Sequence, residues 1–246
     1  MNKVAQVNLF FWIMKICATT LGETAGDLLS MTLNVGYAIS SIILLGFFLI
    51  SLTTQLVSRV FHPALYWLVI LTTSTAGTTM SDYMDRTLGL GYATGSVILV
   101  TCLALVLSTW RFVEKSLSVS SIQTTRAELF YWVAILVSNT LGTALGDYLA
   151  DDSGLGFLGG AALISGLIAL VALAYYATSL SRVVLFWMAF VLTRPFGATF
   201  GDLLTKPLEK GGLDFGTIGS SLVLATILIL LIGYTTIRAK RASPQR

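Results

Sequence analysis

Residues 12–27 read WIMKICATTLGETAGD, and the same frame returns as WLVILTTSTAGTTMSD at 67–82, WVAILVSNTLGTALGD at 132–147 and WMAFVLTRPFGATFGD at 187–202. Each copy opens on Trp and closes on Asp: Asp27, Asp82, Asp147, Asp202. Ten positions after the Trp stands Gly22, Gly77, Gly142 or Gly197, and fourteen after it Gly26, Ser81, Gly146 or Gly201. The tryptophans are 55, 65 and 55 residues apart, so the copies nest into two halves, residues 1–120 (repeats 1–57 and 58–120) and 121–246 (repeats 121–178 and 179–246). Repetition on this scale is an architectural statement and is read before any single residue.

The solvent decides the architecture. Over 246 residues, 55% of side chains are hydrophobic and only 11% charged, with a mean hydropathy of +0.84, whereas charged residues make up about a quarter of an average soluble domain. The apolar runs are long and nearly continuous, which favours helices over the alternating segments of a barrel. Eight stretches approach the length of a span, roughly 7–30, 35–57, 63–84, 89–110, 127–150, 155–178, 181–205 and 214–237. The fold expected is an all-α integral membrane protein with eight transmembrane helices, arranged as four parallel two-helix repeats paired into two pseudo-symmetric halves. In each repeat a helix carrying the frame (helix A) precedes a second span (helix B). Helix B opens on Val35-Gly36-Tyr37, Leu90-Gly91-Tyr92, Leu155-Gly156-Phe157 or Leu213-Asp214-Phe215, the last after an altered turn, TKPLEKGG.

Lys and Arg set the orientation. Lys3, Arg59, Arg111, Lys115, Arg126, Arg182, Arg238, Lys240, Arg241 and Arg246 fall at the termini and between repeats, while only Arg86, Lys206 and Lys210 fall in the turns within repeats. Ten against three puts both termini in the cytoplasm by the positive-inside rule, and the frame Trp at the cytoplasmic interface. The net charge of +3 is too small to argue for nucleic acid. Cys17 and Cys102 lie in apolar runs with no CxxC or Cys/His pairing, and read as small core residues. The N-terminus lacks a signal-peptide cleavage pattern, so the first apolar run is expected to stay as the first span.

On a helix the positions at +8, +11 or +12, and +15 of the frame share a face. That stripe reads Thr20, Glu23, Asp27; Thr75, Thr78, Asp82; Thr140, Thr143, Asp147; and Pro195, Ala198, Asp202. Beside it the small residues follow small-xxx-small spacing, which lets helix backbones approach in lipid. Ionisable groups inside a membrane cost about 3 kcal/mol or more each and mark ion or proton routes. Carboxylates with Thr hydroxyls suit hard cations such as Mg²⁺, Mn²⁺ or Ca²⁺, so Glu23, Asp27, Asp82, Asp147 and Asp202 are candidate metal ligands, with Thr20, Thr75 and Thr140 beside them. Lys15 and Arg194 break the symmetry and are expected to serve as internal counter-ions, with Pro195 freeing carbonyls next to Arg194. Two plainer readings stand beside this one: each Asp caps a short outer helix, or the carboxylates are ion-paired for packing alone.

With KICATTLGETAGD as its most characteristic stretch, the chain resembles bacterial inner-membrane proteins built of four tandem repeats, each of two transmembrane segments with a characteristic Trp, catalogued as a repeat of unknown function. The resemblance implies the repeat count and the location, and no settled activity. The residues point to a transporter for a divalent cation such as Mn²⁺, by export or proton exchange, with the ion as substrate and no cofactor. An organic-cation transporter or channel walled by Tyr37, Tyr92, Tyr148 and the frame tryptophans is the alternative, and a non-transporting scaffold the third reading. No nucleophile–base pair or cofactor signature argues for an enzyme. The expected partners are the bilayer and a small cation, with assembly of copies left open.

Overall fold

The computed structural model describes residues 4–58 and 60–242; Lys3, Arg59 and Arg246 of the orientation argument lie outside them. Its eight long helices are α1 (Leu9–Asp27), α2 (Tyr37–Val57), α3 (Pro63–Asp82), α4 (Tyr92–Glu114), α5 (Thr125–Asp147), α6 (Gly156–Ala177), α7 (Arg182–Thr205) and α8 (Thr217–Ala242). There is no strand among the described residues. Six of the helical spans are long and apolar enough to cross a membrane. The two that fall short, α1 and α3, carry Lys15, Glu23 and Asp27 or the run TTSTAGTTMSD. Both bury most of those polar groups inside the bundle, with Thr72 half-buried.

The odd-numbered helices form a closed ring, α1 against α3, α3 against α5, α5 against α7 and α7 back against α1. The glycines make it possible. A Cβ at Gly22, Gly77 or Gly142 would stand 3.0 Å from the backbone carbonyl carbon of Ser74, Asn139 or Arg194 on the next ring helix, and one at Gly197 2.8 Å from that of Thr19. One rule therefore describes all four seams: the Gly at +10 receives the residue at +7 of the following repeat. Further along, Gly26 faces Thr78, Gly146 faces Ala198 and Gly201 faces Glu23.

The even-numbered helices form the outer layer, offset by one repeat. α2 packs on α3, α4 on α5, α6 on α7, and α8 closes the circle on α1. A two-helix sequence unit is thus not a packing unit. Cys17 is buried in this core, where its thiol meets the Leu224 carbonyl oxygen at 3.3 Å. Cys102, expected in the core, is exposed on the outer layer.

At the Trp end of the ring each aromatic residue preceding a frame Trp packs on the Trp of a neighbouring repeat. Ring centroids are 5.7 Å apart for Phe11–Trp67, 5.6 Å for Tyr66–Trp132, 6.3 Å for Tyr131–Trp187 and 5.7 Å for Trp12–Phe186. Trp67, Trp132 and Trp187 are buried. These three rings fill that end of the bundle, while Trp12 is half-buried.

Beyond the Asp, α1, α3 and α5 run without a break into one π-helical turn, Leu28–Thr32, Tyr83–Thr87 and Tyr148–Asp152. Asp27, Asp82 and Asp147 have right-handed helical dihedrals and make no capping bond, which removes the reading of these residues as N-caps. The fourth repeat differs because Pro207 follows: Lys206 is forced extended (ψ 152°) and α7 stops at Thr205. Gly36 and Gly91, at φ 81° and 73°, start α2 and α4 in a region closed to most side chains. In repeat four the matching residue, Asp214, takes φ 57°.

Candidate functional site

Positions +3, +7, +11 and +15 of the frame lie one helical turn apart and stack four layers along the ring. They read Lys15, Ile70, Ile135, Phe190; then Thr19, Ser74, Asn139, Arg194; then Glu23, Thr78, Thr143, Ala198; then the four aspartates. Three of these layers are wholly buried, and the aspartates are 2–4% exposed. Of the expected stripe, the +11 and +15 positions meet in the ring and +7 takes the place of +8. The Thr at +8 turns away: Thr20, Thr75 and Thr140 give their hydroxyls to Ile16, Thr72 and Leu136 carbonyls of their own helices. Thr78 and Thr143, at +11 of the expected stripe, are the hydroxyls within hydrogen-bond reach of Glu23.

At the centre the Arg194 guanidinium pairs with Glu23 (2.9 Å). The same nitrogen donates to Thr78 Oγ1 at 2.5 Å and Thr143 Oγ1 at 2.6 Å, so one group joins all four repeats. Both hydroxyls also stand against Glu23 Oε2, at 3.3 and 3.4 Å. Lys15, by contrast, does not reach a carboxylate. Its ammonium donates to Asn139 Oδ1 at 3.4 Å and lies 4.2 Å from the centroid of the Phe190 ring. Asn139 in turn donates to Thr73 at 2.9 Å. Lys15 is therefore held at close range by dipoles, and not by a direct ion pair.

The aspartates are held in two pairs, each clamped by one base. Arg86 binds Asp82 at 2.9 Å and Asp147 at 3.1 Å; Lys206 binds Asp27 at 2.6 Å and Asp202 at 3.1 Å. Burial opposes the charge on Lys206, yet Asp202 and then Asp27 outweigh it and hold the pKa above the ordinary lysine value. The two clamps are 120 residues apart in sequence, the spacing of the nested halves. Each ties an aspartate of its own repeat to one of the next, across a boundary between halves. By sequence alone, Arg86 and Lys206 read as loop charges. The signal for a clamp was their place four residues after Asp82 and Asp202, one helical turn on, with Met31 and Asp151 at the same place in the other repeats. Ser81, expected at a helix contact, donates along its own helix to Asp85 at 3.3 Å.

Carboxylate oxygens of Glu23, Asp147 and Asp202 all lie within 4.8 Å of one another, and all three residues are buried. That is about the span of two oxygen–metal bonds of 2.4 Å across a Ca²⁺ shell. Asp27 and Asp82 complete the acidic layer but are not members of this trio.

A family model described as Repeat of Unknown Function (DUF347) matches four stretches in tandem, residues 10–61, 65–116, 130–181 and 185–241. The chain belongs to this repeat family. No curated protein and no solved structure matches it. Each DUF347 match begins two residues before a frame Trp and takes in one ring helix with the outer helix that follows it. The charged core combines the four aspartates that the repeats share with residues that they do not: Glu23, Arg86, Arg194 and Lys206.

Proposed function

We propose that the protein is a cation transporter of the bacterial inner membrane, with all eight helices spanning, both termini cytoplasmic, and a divalent metal ion such as Mn²⁺ as substrate. The ring axis is the path and the Glu23, Asp147 and Asp202 carboxylates are the central stop on it. The observation that carries this reading is their convergence from three repeats, each already holding a tethered cation: Arg194 on Glu23, Arg86 on Asp147, Lys206 on Asp202. A buried acidic site in lipid needs a positive occupant whether loaded or empty, and side-chain bases supply one that cannot diffuse away. In the ring layers and their two clamps five carboxylates, Glu23 and the aspartates, stand with four bases, Lys15, Arg86, Arg194 and Lys206; Asp85 and Glu128 are buried outside those layers. Within the ring set one net negative charge remains with every group ionised. A divalent ion therefore enters by displacing a base, and Arg86 and Lys206, with side chains 29% and 16% exposed, are the bases nearest water. The aromatic layer at the Trp end closes the opposite mouth.

The organic-cation reading keeps one specific support. The Arg86 guanidinium lies 5.9 Å from the centroid of the Tyr37 ring and 5.5 Å from that of Tyr92, between two carboxylates, the surroundings that recognise such cations. Purified protein in liposomes separates the readings. Flux of Mn²⁺ that is lost in Glu23→Gln and Asp147→Asn supports the first; flux of guanidinium or a quaternary ammonium without metal flux supports the second. No flux of either ends the transport reading.

A further inference from the structure

A groove of about 770 Å³ runs along α7 between α6 and the start of α1. It reaches from Arg182 to Thr193, eleven helical residues or about 16 Å, close to half of a ~30 Å hydrocarbon core. Its floor is aliphatic and aromatic, with Ile16, Val171 and Phe186 on three sides. At the Arg182 end the lining turns polar, with Asn8, Ser118 and Ser120. Among the described residues Arg182 is the one charged side chain on the wall, and no carboxylate lines it. The guanidinium rests on the Tyr175 ring, 4.2 Å from its centroid, and donates through one nitrogen to the Tyr175 carbonyl, a single use of a group with five N–H donors. Tyr176 beside it is 85% exposed, as expected of an aromatic residue at headgroup level.

We propose that this groove binds one anionic phospholipid of the leaflet at the Trp end, its phosphate on Arg182 and one acyl chain laid along α7 toward Thr193. Depth of one leaflet, a cation at the rim and hydrocarbon below match that ligand, and basic pockets between helices on the cytoplasmic side are where anionic headgroups bind. The inference rests on the membrane reading of the chain and is independent of transport. It has a consequence for the ring. The groove ends at Thr193, whose carbonyl accepts the Thr19 hydroxyl at 3.1 Å across the α1–α7 seam, the seam that also carries the Arg194–Glu23 pair. A bound lipid wedges that seam from its open flank.

The test uses the full chain purified in mild detergent, with phosphatidylglycerol or phosphatidylcholine of identical acyl chains added, read by native mass spectrometry. Wild type is expected to retain one phosphatidylglycerol with about fivefold preference over phosphatidylcholine, the increment of one arginine near a headgroup. Arg182→Gln is expected to lose the preference and keep tail binding, while Ala189→Trp, which fills the groove from α7, loses both. Ala172→Trp fills it from α6 and serves if Ala189→Trp does not fold. Equal retention of the two lipids by wild type, or a preference that survives both Arg182→Gln and a filled groove, overturns the proposal. So does a dimer of the wild type that a filled groove dissociates, which would assign the surface to a second copy.

Discussion

Arg194 and Glu23 are 0% and 3% exposed and 2.9 Å apart, so each is the other's main compensation for leaving water. Breaking a buried pair by removing one partner costs about 3–5 kcal/mol, whereas replacing both is close to neutral. Glu23→Gln is expected at that cost, because the Thr78 and Thr143 hydroxyls left on Arg194 are neutral. Arg194→Met is expected near the same value. The double variant should return to within about 1 kcal/mol of wild type, since the amide introduced by Glu23→Gln can use the two hydroxyls. In thermal unfolding of the purified protein each single variant loses roughly 10 °C, taking about 2–4 °C per kcal/mol at this size, and the double variant regains most of it. The cation reading adds a second arm. Arg194→Met leaves the trio of carboxylates without its central base, so Mn²⁺ at about a hundred times its Kd should restore about 2.7 kcal/mol there and nothing in the double variant. Additive single losses would refute the pair as a unit, and an Arg194→Met protein indifferent to metal would refute the site as a metal cage.

Other consequences follow from packing and from the proposed activity. Gly22→Ala and Gly142→Ala drive a methyl against the backbone of the next ring helix and should cost at least about 1–3 kcal/mol as overpacking. Gly46→Ala, with nothing within 4 Å, should be neutral or stabilise by up to about 1 kcal/mol; equal effects at the three sites would contradict the ring. Tyr66→Phe removes one side of the 2.6 Å hydroxyl pair with Tyr131 and is expected to lower stability by about 1–3 kcal/mol, measured in the same unfolding assay. Arg86→Gln releases Asp147 and should lower the concentration of Mn²⁺ that half-saturates liposome flux; an unchanged or raised value argues against displacement of that base. A strain lacking the protein is expected to lose growth at high concentrations of one divalent ion, and loss only on lipophilic cations would favour the second substrate class.

Much of this was legible because lipid leaves few choices. Four copies of a Trp-to-Asp frame, small-xxx-small spacing and runs of about twenty apolar residues together require packed helices with inward carboxylates. Arg194 could be named from the sequence because an arginine amid apolar residues must find an anion. The phase of the ring helices could not. With 3.6 residues per turn, positions +7 and +8 flank the same direction, and only the fit of each Gly against the +7 backbone of the next helix chooses between them. Arg86 and Lys206 stayed hidden for a related reason: both sit in turns, and their reach to Asp147 and Asp27 depends on which repeat lies beside which.

Local pattern alone determined the helices, their repeat and the burial of the carboxylates, since these follow from backbone satisfaction and the cost of charge in hydrocarbon. Tertiary structure decided the neighbours: each outer helix on the ring helix of the next repeat, α8 back on α1, and each base on carboxylates from two repeats. Such pairings join residues up to 207 positions apart, and nothing in a repeating sequence distinguishes one equivalent partner from another until the ring closes.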